Sequence, residues 1–326
     1  MPRTDETLKG AVHAEPTPKK ALTSESAKAR KQMFGTLLDL FGSNSQNELT
    51  ESAIASTSAL IEKQPENPLL YASRASYYKQ AKQYEDSIND YTKALELGKN
   101  KQLAYMWLEG RALVYDTLRK ESESLNDLCE VISIQPNYIP AHFYRGRIYN
   151  TRKEPVKALA DFNFVIEANP EWNPDVYYAR GMANLSVGNA LQAALDFKHF
   201  LECEKWKDRS APYAVLFGYL AFKQSAKHLD AQALVSTSEI HLQGTAWPNI
   251  IVQFFLGKAS QEKVLNSASS NDDLTEAHWF IGAKHLYDAR PEDARKHLTW
   301  VVEHGNESFL DYDLARAELN KLLNPA

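Results

Sequence analysis

Four arginines, Arg74, Arg111, Arg145 and Arg180, are each followed sixteen residues later by an aspartate: Asp90, Asp127, Asp161 and Asp196. Thirteen residues after each arginine stands a small residue (Ser87, Ser124, Ala158, Ala193), and seventeen after it a large apolar one (Tyr91, Leu128, Phe162, Phe197). The arginines themselves lie 37, 34 and 35 residues apart. The interior of each unit is therefore constant while the joins between units vary, as when insertions are confined to inter-repeat loops. A chain built this way folds by stacking like units, and each unit buries its apolar face on the next.

The unit from Ala141 to Trp172 reads as two amphipathic helices joined by a short turn. Tyr144, Ile148 and Tyr149 mark the inward face of the first, and Ala158, Leu159, Phe162, Val165 and Ile166 that of the second. Gly146 and Ala158 put small side chains where the helices cross, and Pro170 ends the unit. In such a hairpin, residues sixteen apart face each other. Each arginine is thus expected to reach the aspartate of its own or the adjacent unit, with bidentate geometry. The recurrence of Arg74–Asp90, Arg111–Asp127, Arg145–Asp161 and Arg180–Asp196 at one offset favours a structural ladder over a ligand-binding stripe. In a partly buried ladder, removing one partner costs a few kcal/mol.

At these positions the sequence resembles the tetratricopeptide repeat family. Ala75, Ala112, Gly146 and Gly181 match the family's small residue in its first helix, and Tyr78, Tyr115 and Tyr149 the aromatic three residues later, where Asn184 departs. Pro136 and Pro170 match the closing proline, where Lys99 and Lys205 depart. The resemblance implies an all-α fold, a right-handed superhelical solenoid of antiparallel helix pairs with terminal capping helices. The chaperone-binding version of the family holds a terminal carboxylate with a lysine and an asparagine. Ala72 and Ser76 stand at those places here, which argues against that role.

In chain order, residues 1–24 are polar, lack periodicity and read as a disordered tail. Residues 25–66 read as a degenerate helix pair. Met33, Phe34, Leu37, Leu38 and Phe41 form the apolar side of its first helix (25–42), and Leu49, Ala53, Ile54, Leu60 and Ile61 that of its second (47–63). This pair is expected either to cap the solenoid or to form a homodimer. Residues 67–207 hold four repeats, and 208–245 an irregular fifth pair that has lost the ladder. Residues 246–270 form a short-helix insertion in which Ser260 caps a helix. A C-terminal repeat follows at 271–308, with Ile281 and His297 at the ladder positions, and a capping helix at 309–326.

The net charge of −5 over 326 residues argues against nonspecific nucleic-acid binding. Cys129 and Cys203 fall two repeats apart, too far for a disulfide, and are expected as small buried hydrophobes. His278 and His285, like His297 and His304, are seven apart on helices and lack the i, i+4 spacing of a zinc-binding helix. No glycine-rich phosphate loop or nucleophile elbow is present. The expectation is a non-enzyme that needs neither metal nor cofactor. No run reaches the length of a transmembrane helix.

The C-terminal third also resembles a narrower group, the bacterial adaptors of the NlpI lipoprotein type, through WPNIIVQFFLG at 247–257, the following KVL, EAHWFIG at 276–282 and DYDLARAEL at 311–319. That resemblance implies an elongated, often dimeric adaptor which docks proteases or cell-wall hydrolases in the periplasm. Because the chain as written shows no export signal or lipid-attachment cysteine, a cytoplasmic location is expected, or a periplasmic one if a signal has been removed.

Binding is expected on the concave surface, lined by first-helix residues that point away from the second helix. By repeat offset these are Met106, Glu109 and Leu113; Phe143, Arg147 and Asn150; and Tyr178, Met182 and Leu185; Trp279 and Tyr287 hold similar places near the C-terminal end. Exposed aromatic, Met and Arg side chains there suit a protein or peptide partner. The alternative is a scaffold that assembles through its N-terminal helices with a passive inner surface. The insertion or the last helix is also expected to cover some of these residues.

Overall fold

The computed structural model describes residues 47–98 and 101–324. The tail expected at 1–24 and the helix expected at 25–42 lie outside the described residues. Helix α1 spans 47–63. Four helix pairs follow: α2 (Pro68–Gln80) with α3 (Tyr84–Leu97), α4 (Lys101–Thr117) with α5 (Glu121–Ile134), α6 (Ile139–Thr151) with α7 (Pro155–Ala168), and α8 (Asp175–Ser186) with α9 (Ala190–Cys203). Then come α10 (Ala211–Gln224) with α11 (His228–His241), the short α12 (Asn249–Phe255) and α13 (Gln261–Ser267), α14 (Asn271–Tyr287) with α15 (Pro291–His304), and α16 (Leu310–Leu323). From α2 onward each helix packs on its sequence neighbours, giving an all-α solenoid.

The turns inside the pairs share one geometry. Lys82, Arg119, Lys153, Gly188, Ala226 and Ala289 sit in the left-handed region with φ between 57° and 80°. Each is followed by a residue whose N–H reaches back to the carbonyl five positions earlier, as from Gln83 to Tyr78 and from Glu154 to Tyr149, both 2.8 Å. This is the Schellman closure of a helix end, and it satisfies carbonyls the helix leaves unpaired. Only one of the six turns places glycine at that position.

Helices cross where a small residue meets a large one. A Cβ added to Gly146 would stand 2.7 Å from the ring of Phe162, and one added to Gly181 would stand 3.0 Å from that of Phe197. Ala75 and Ala112 fill the same place where Tyr91 and Leu128 face them, and all four of these side chains are buried. The small residue of the second helix bonds back to the first: Ser87 Oγ donates to the Ala75 carbonyl (2.7 Å) and Ser124 Oγ to that of Ala112 (2.9 Å).

Every ladder arginine binds the aspartate of its own unit through Nε and Nη2. The distances are 2.7 and 2.9 Å for Arg74–Asp90, 2.8 and 2.8 Å for Arg111–Asp127, 2.9 and 2.7 Å for Arg145–Asp161, and 3.0 and 2.7 Å for Arg180–Asp196. The third nitrogen, Nη1, reaches into the preceding unit, to Ser58, Thr92, Cys129 and Asn163 respectively. Each guanidinium therefore ties one hairpin together and staples it to the one before. Ser58 places α1 in the second-helix position ahead of the first full pair. Asn184, which departs from the family pattern, donates to Asp196 at 3.1 Å.

The staple stops after the fourth pair. Phe217 stands where α10 would carry the next arginine, and its ring packs 6.0 Å from Phe197 and 5.1 Å from Phe280. From there on, aromatic packing replaces charge: Phe255 lies 5.1 Å from Tyr219 and 6.3 Å from Phe280, so the short α12 belongs to the same core. Ser260 caps α13 by accepting from the Lys263 N–H. The two cysteines are not the buried hydrophobes expected: Cys129 and Cys203 are both exposed.

Candidate functional site

The solenoid curves until its last helix meets its third hairpin. Lys153, in the α6–α7 turn, bonds the Asp313 carboxylate of α16 at 2.7 Å and the Glu307 carbonyl at 2.9 Å. Between them α6, α8, α10, α14 and α16 enclose a pocket of about 720 Å³, a volume ordinary for a ligand-binding site. Its walls are mostly apolar: Met182 and Leu185 of α8, Phe217 and Leu220 of α10, Leu286 of α14, Leu310 and Leu314 of α16. The mouth is charged, with Arg147, Lys153, Arg316 and Lys321 against Asp313 and Glu318.

Of the residues the sequence put on the concave face, Arg147, Asn150, Tyr178, Met182, Leu185, Trp279 and Tyr287 all line this pocket. Asn150 donates to the Ala179 carbonyl at 2.9 Å and so holds α6 to α8. Met106, Glu109 and Leu113 lie away from it. Met106 is exposed, and Glu109 accepts a 2.7 Å bond from Tyr138 Oη. Three side chains expected to be exposed are buried: Phe143 at 4%, Trp279 at 5% and Leu185 at 9%. Phe143 is covered by Trp172, whose ring meets it edge-on at 5.2 Å. Trp279 and Leu185 belong to the main hydrophobic core and present only an edge to the pocket.

Sequence offsets did not single out Phe217, Leu220 or the α16 residues as pocket walls. One signal was present: α10 is apolar all round its circumference, which marks a helix covered on every side. Local sequence gives residues 309–326 the character of a capping helix and nothing more. That they also form a wall depends on superhelical curvature, which no offset within a repeat encodes.

At the α14–α16 end lie two acids withdrawn from water, Glu276 half-buried and Asp311 buried. Glu276 accepts from Tyr213 Oη (2.8 Å) and from Trp247 Nε1 (2.9 Å), and burial raises its pKa against those two bonds. Asp311, in the first turn of α16, has Oδ1 buried without a partner, and burial together with the nearby Glu276 charge lifts its pKa to about 7. Burial also raises the Tyr178 hydroxyl, with Asp311 and Glu276 adding to the effect. On the far side of α14 the histidines pair across the hairpin, not along one helix. His278 Nδ1 lies 3.1 Å from His297 Nδ1, and the His278 ring stacks on Trp300 at 4.0 Å. Burial lowers both pKa values to about 4. Among the described residues no group of three or more His, Cys, Asp or Glu is placed to hold a metal ion.

The fold and its repeat-internal contacts define a tetratricopeptide-repeat solenoid. No family model matches the sequence. The chain is 27% identical over 231 residues to the lipoprotein NlpI homolog of Haemophilus influenzae, covering 68% of this chain and 71% of that one. Solved structures that share the fold include two tetratricopeptide-repeat proteins. One is YrrB, described as a TPR protein with an unusual peptide-binding site (16% identity, TM-score 0.51, 62% of this chain and 97% of that one). The other is the C-terminal part of a TPR repeat-containing protein from Cytophaga hutchinsonii (16% identity, TM-score 0.50, 85% and 98%). Among the described residues no helix is long and apolar enough to cross a membrane.

Proposed function

We propose that this protein is a non-catalytic adaptor that holds a peptide or helix of a partner protein in the pocket between α6, α8, α10, α14 and α16. The observation that carries the reading is the combination of a large apolar interior and a polar mouth on the concave side. Apolar walls supply affinity and a few fixed polar groups supply orientation. The similarity to a protein named as a lipoprotein supports a periplasmic place of action over a cytoplasmic one, and cell fractionation with an antibody against the chain decides between them. For the pocket, a photo-cross-linking amino acid at Met182, inside it, is compared with one at Leu229, 87% exposed on α11. Partners captured from position 182 alone, and lost when Ala317→Trp narrows the mouth, support the adaptor. The same partners from both positions rule the pocket out.

A second reading has its own observation. Leu49 (67% exposed) and Leu60 (44%) of α1 and Leu69 (54%) of α2 present apolar surface at the N-terminal end. There the chain self-associates through its N-terminal helices as a homodimer. Light scattering on the full chain tests this: a dimer that Leu60→Glu or Phe34→Glu converts to monomer supports it, and a monomeric wild type removes it.

A further inference from the structure

We propose that the segment held in the pocket is an acidic one, an apolar peptide stretch carrying Asp or Glu beside its apolar side chains, with Arg147 taking a carboxylate. This rests on the pocket being a binding site, and it adds the chemistry of the occupant. The chain as a whole is acidic, at −5, yet the pocket lining is not. Four cations (Arg147, Lys153, Arg316, Lys321) face two carboxylates (Asp313, Glu318). Asp313 is shared by Lys153 at 2.7 Å and Arg316 at 3.5 Å, and Glu318 is taken by Lys321 at 2.7 Å.

Arg147 is left over. Two residues earlier in the same helix, Arg145 has a bidentate carboxylate. Arg147 makes no direct ion pair among the described residues and stands exposed at the mouth, its guanidinium 5.9 Å from the centre of the Phe143 ring; its charge acts at longer range on the Asp175 carboxylate, which Arg209 also faces. While the pocket is open, water solvates this charge. An apolar occupant expels that water, and a guanidinium stripped of water without a counter-charge is strongly unfavourable. A neutral or basic segment is therefore penalised, and a segment that brings a carboxylate turns the same charge into an attraction. A positive mouth on a negative molecule also guides an acidic partner to it.

The occupant is a protein segment and not a free fatty acid, which offers the same carboxylate on an apolar body. Gln224 lines the mouth with its carboxamide unbonded among the described residues. It can pair with the N–H and C=O groups of a peptide backbone, and a hydrocarbon chain offers it nothing.

The test is selection from a displayed library of random peptides against the full chain, with counter-selection against Ala317→Trp, followed by affinity measurement on the recovered peptides. The expected peptides combine Leu, Phe or Met with Asp or Glu. They lose about tenfold or more in affinity to Arg147→Gln and less to Arg147→Lys, and the loss shrinks at high salt. Pocket-dependent peptides that are neutral or basic, or that bind Arg147→Gln as well as wild type, overturn the acidic assignment and leave the pocket reading standing. A failure to recover any peptide that Ala317→Trp excludes overturns both. Saturable binding of palmitate, blocked by Ala317→Trp, with no pocket-dependent peptide, overturns the assignment to a protein segment.

Discussion

The ring of Phe162 lies where a side chain on Gly146 would have to begin: a Cβ there would stand 2.7 Å from Cε1 of the ring. Phe162 is fully buried and has no space into which to retreat. Gly146→Ala is therefore an overpacking change, expected to cost about 1–3 kcal/mol and to lower the melting temperature. Gly181→Ala, 3.0 Å from Phe197, costs less. Equal melting temperatures for wild type and Gly146→Ala would contradict this packing.

The ladder makes a second prediction. Asp127 is buried beneath Arg111, which binds it twice and also bonds Thr92 of the preceding hairpin. Arg111→Ala leaves that carboxylate buried and unpaired, at a cost of roughly 3–5 kcal/mol. Adding Asp127→Ala to it removes the stranded charge and recovers part of the loss. Urea unfolding of the two single variants and the double one measures the coupling. Strict additivity would mean that the pair contributes nothing as a pair.

Stability should depend on pH through two groups of opposite sign. Asp311 has its pKa raised from the ordinary carboxyl range to about 7, so the folded state holds a proton the unfolded chain releases. Its contribution is full in acid, below the unfolded pKa, and is lost as pH rises through 7. Asp311→Asn is expected to raise the melting temperature relative to wild type at pH 8 and to give little difference near pH 4. His278 and His297 act in reverse, their pKa values lowered to about 4. Their contribution is full above the unfolded histidine value and is lost as pH falls toward 4. NMR titration of the imidazoles should find both rings neutral at pH 5.5; charged rings there would contradict the buried pair.

The hairpin turns offer a stabilising change. Ala226 holds φ at 57° and is exposed, so it bears the left-handed penalty while making little contact. Ala226→Gly removes a strain of about 1–2 kcal/mol, partly offset by the greater freedom of glycine in the unfolded chain. A net gain below about 1 kcal/mol is expected in denaturant unfolding. Destabilisation would mean that the alanine methyl packs more than its exposure indicates.

The sequence by itself determined the repeat. The sixteen-residue offset between Arg74 and Asp90, and its three copies, encodes a contact across one hairpin, and local helix geometry converts such an offset directly into proximity. The same logic places Gly146 opposite Phe162. The chain carries a further offset: Thr92, Cys129 and Asn163 each stand two residues after a ladder aspartate and receive the arginine of the next unit. They differ in side chain, and only their shared ability to accept a hydrogen bond unites them. What the tertiary structure decided is how the units close on one another. Lys153 and Asp313 are 160 residues apart, and their contact is the sum of many small rotations between successive hairpins. No single interval in the chain records that sum. The same curvature makes walls of Phe217 and Leu314. Repeat periodicity identified the inner face, and accumulated curvature made part of that face a pocket and the rest a wall.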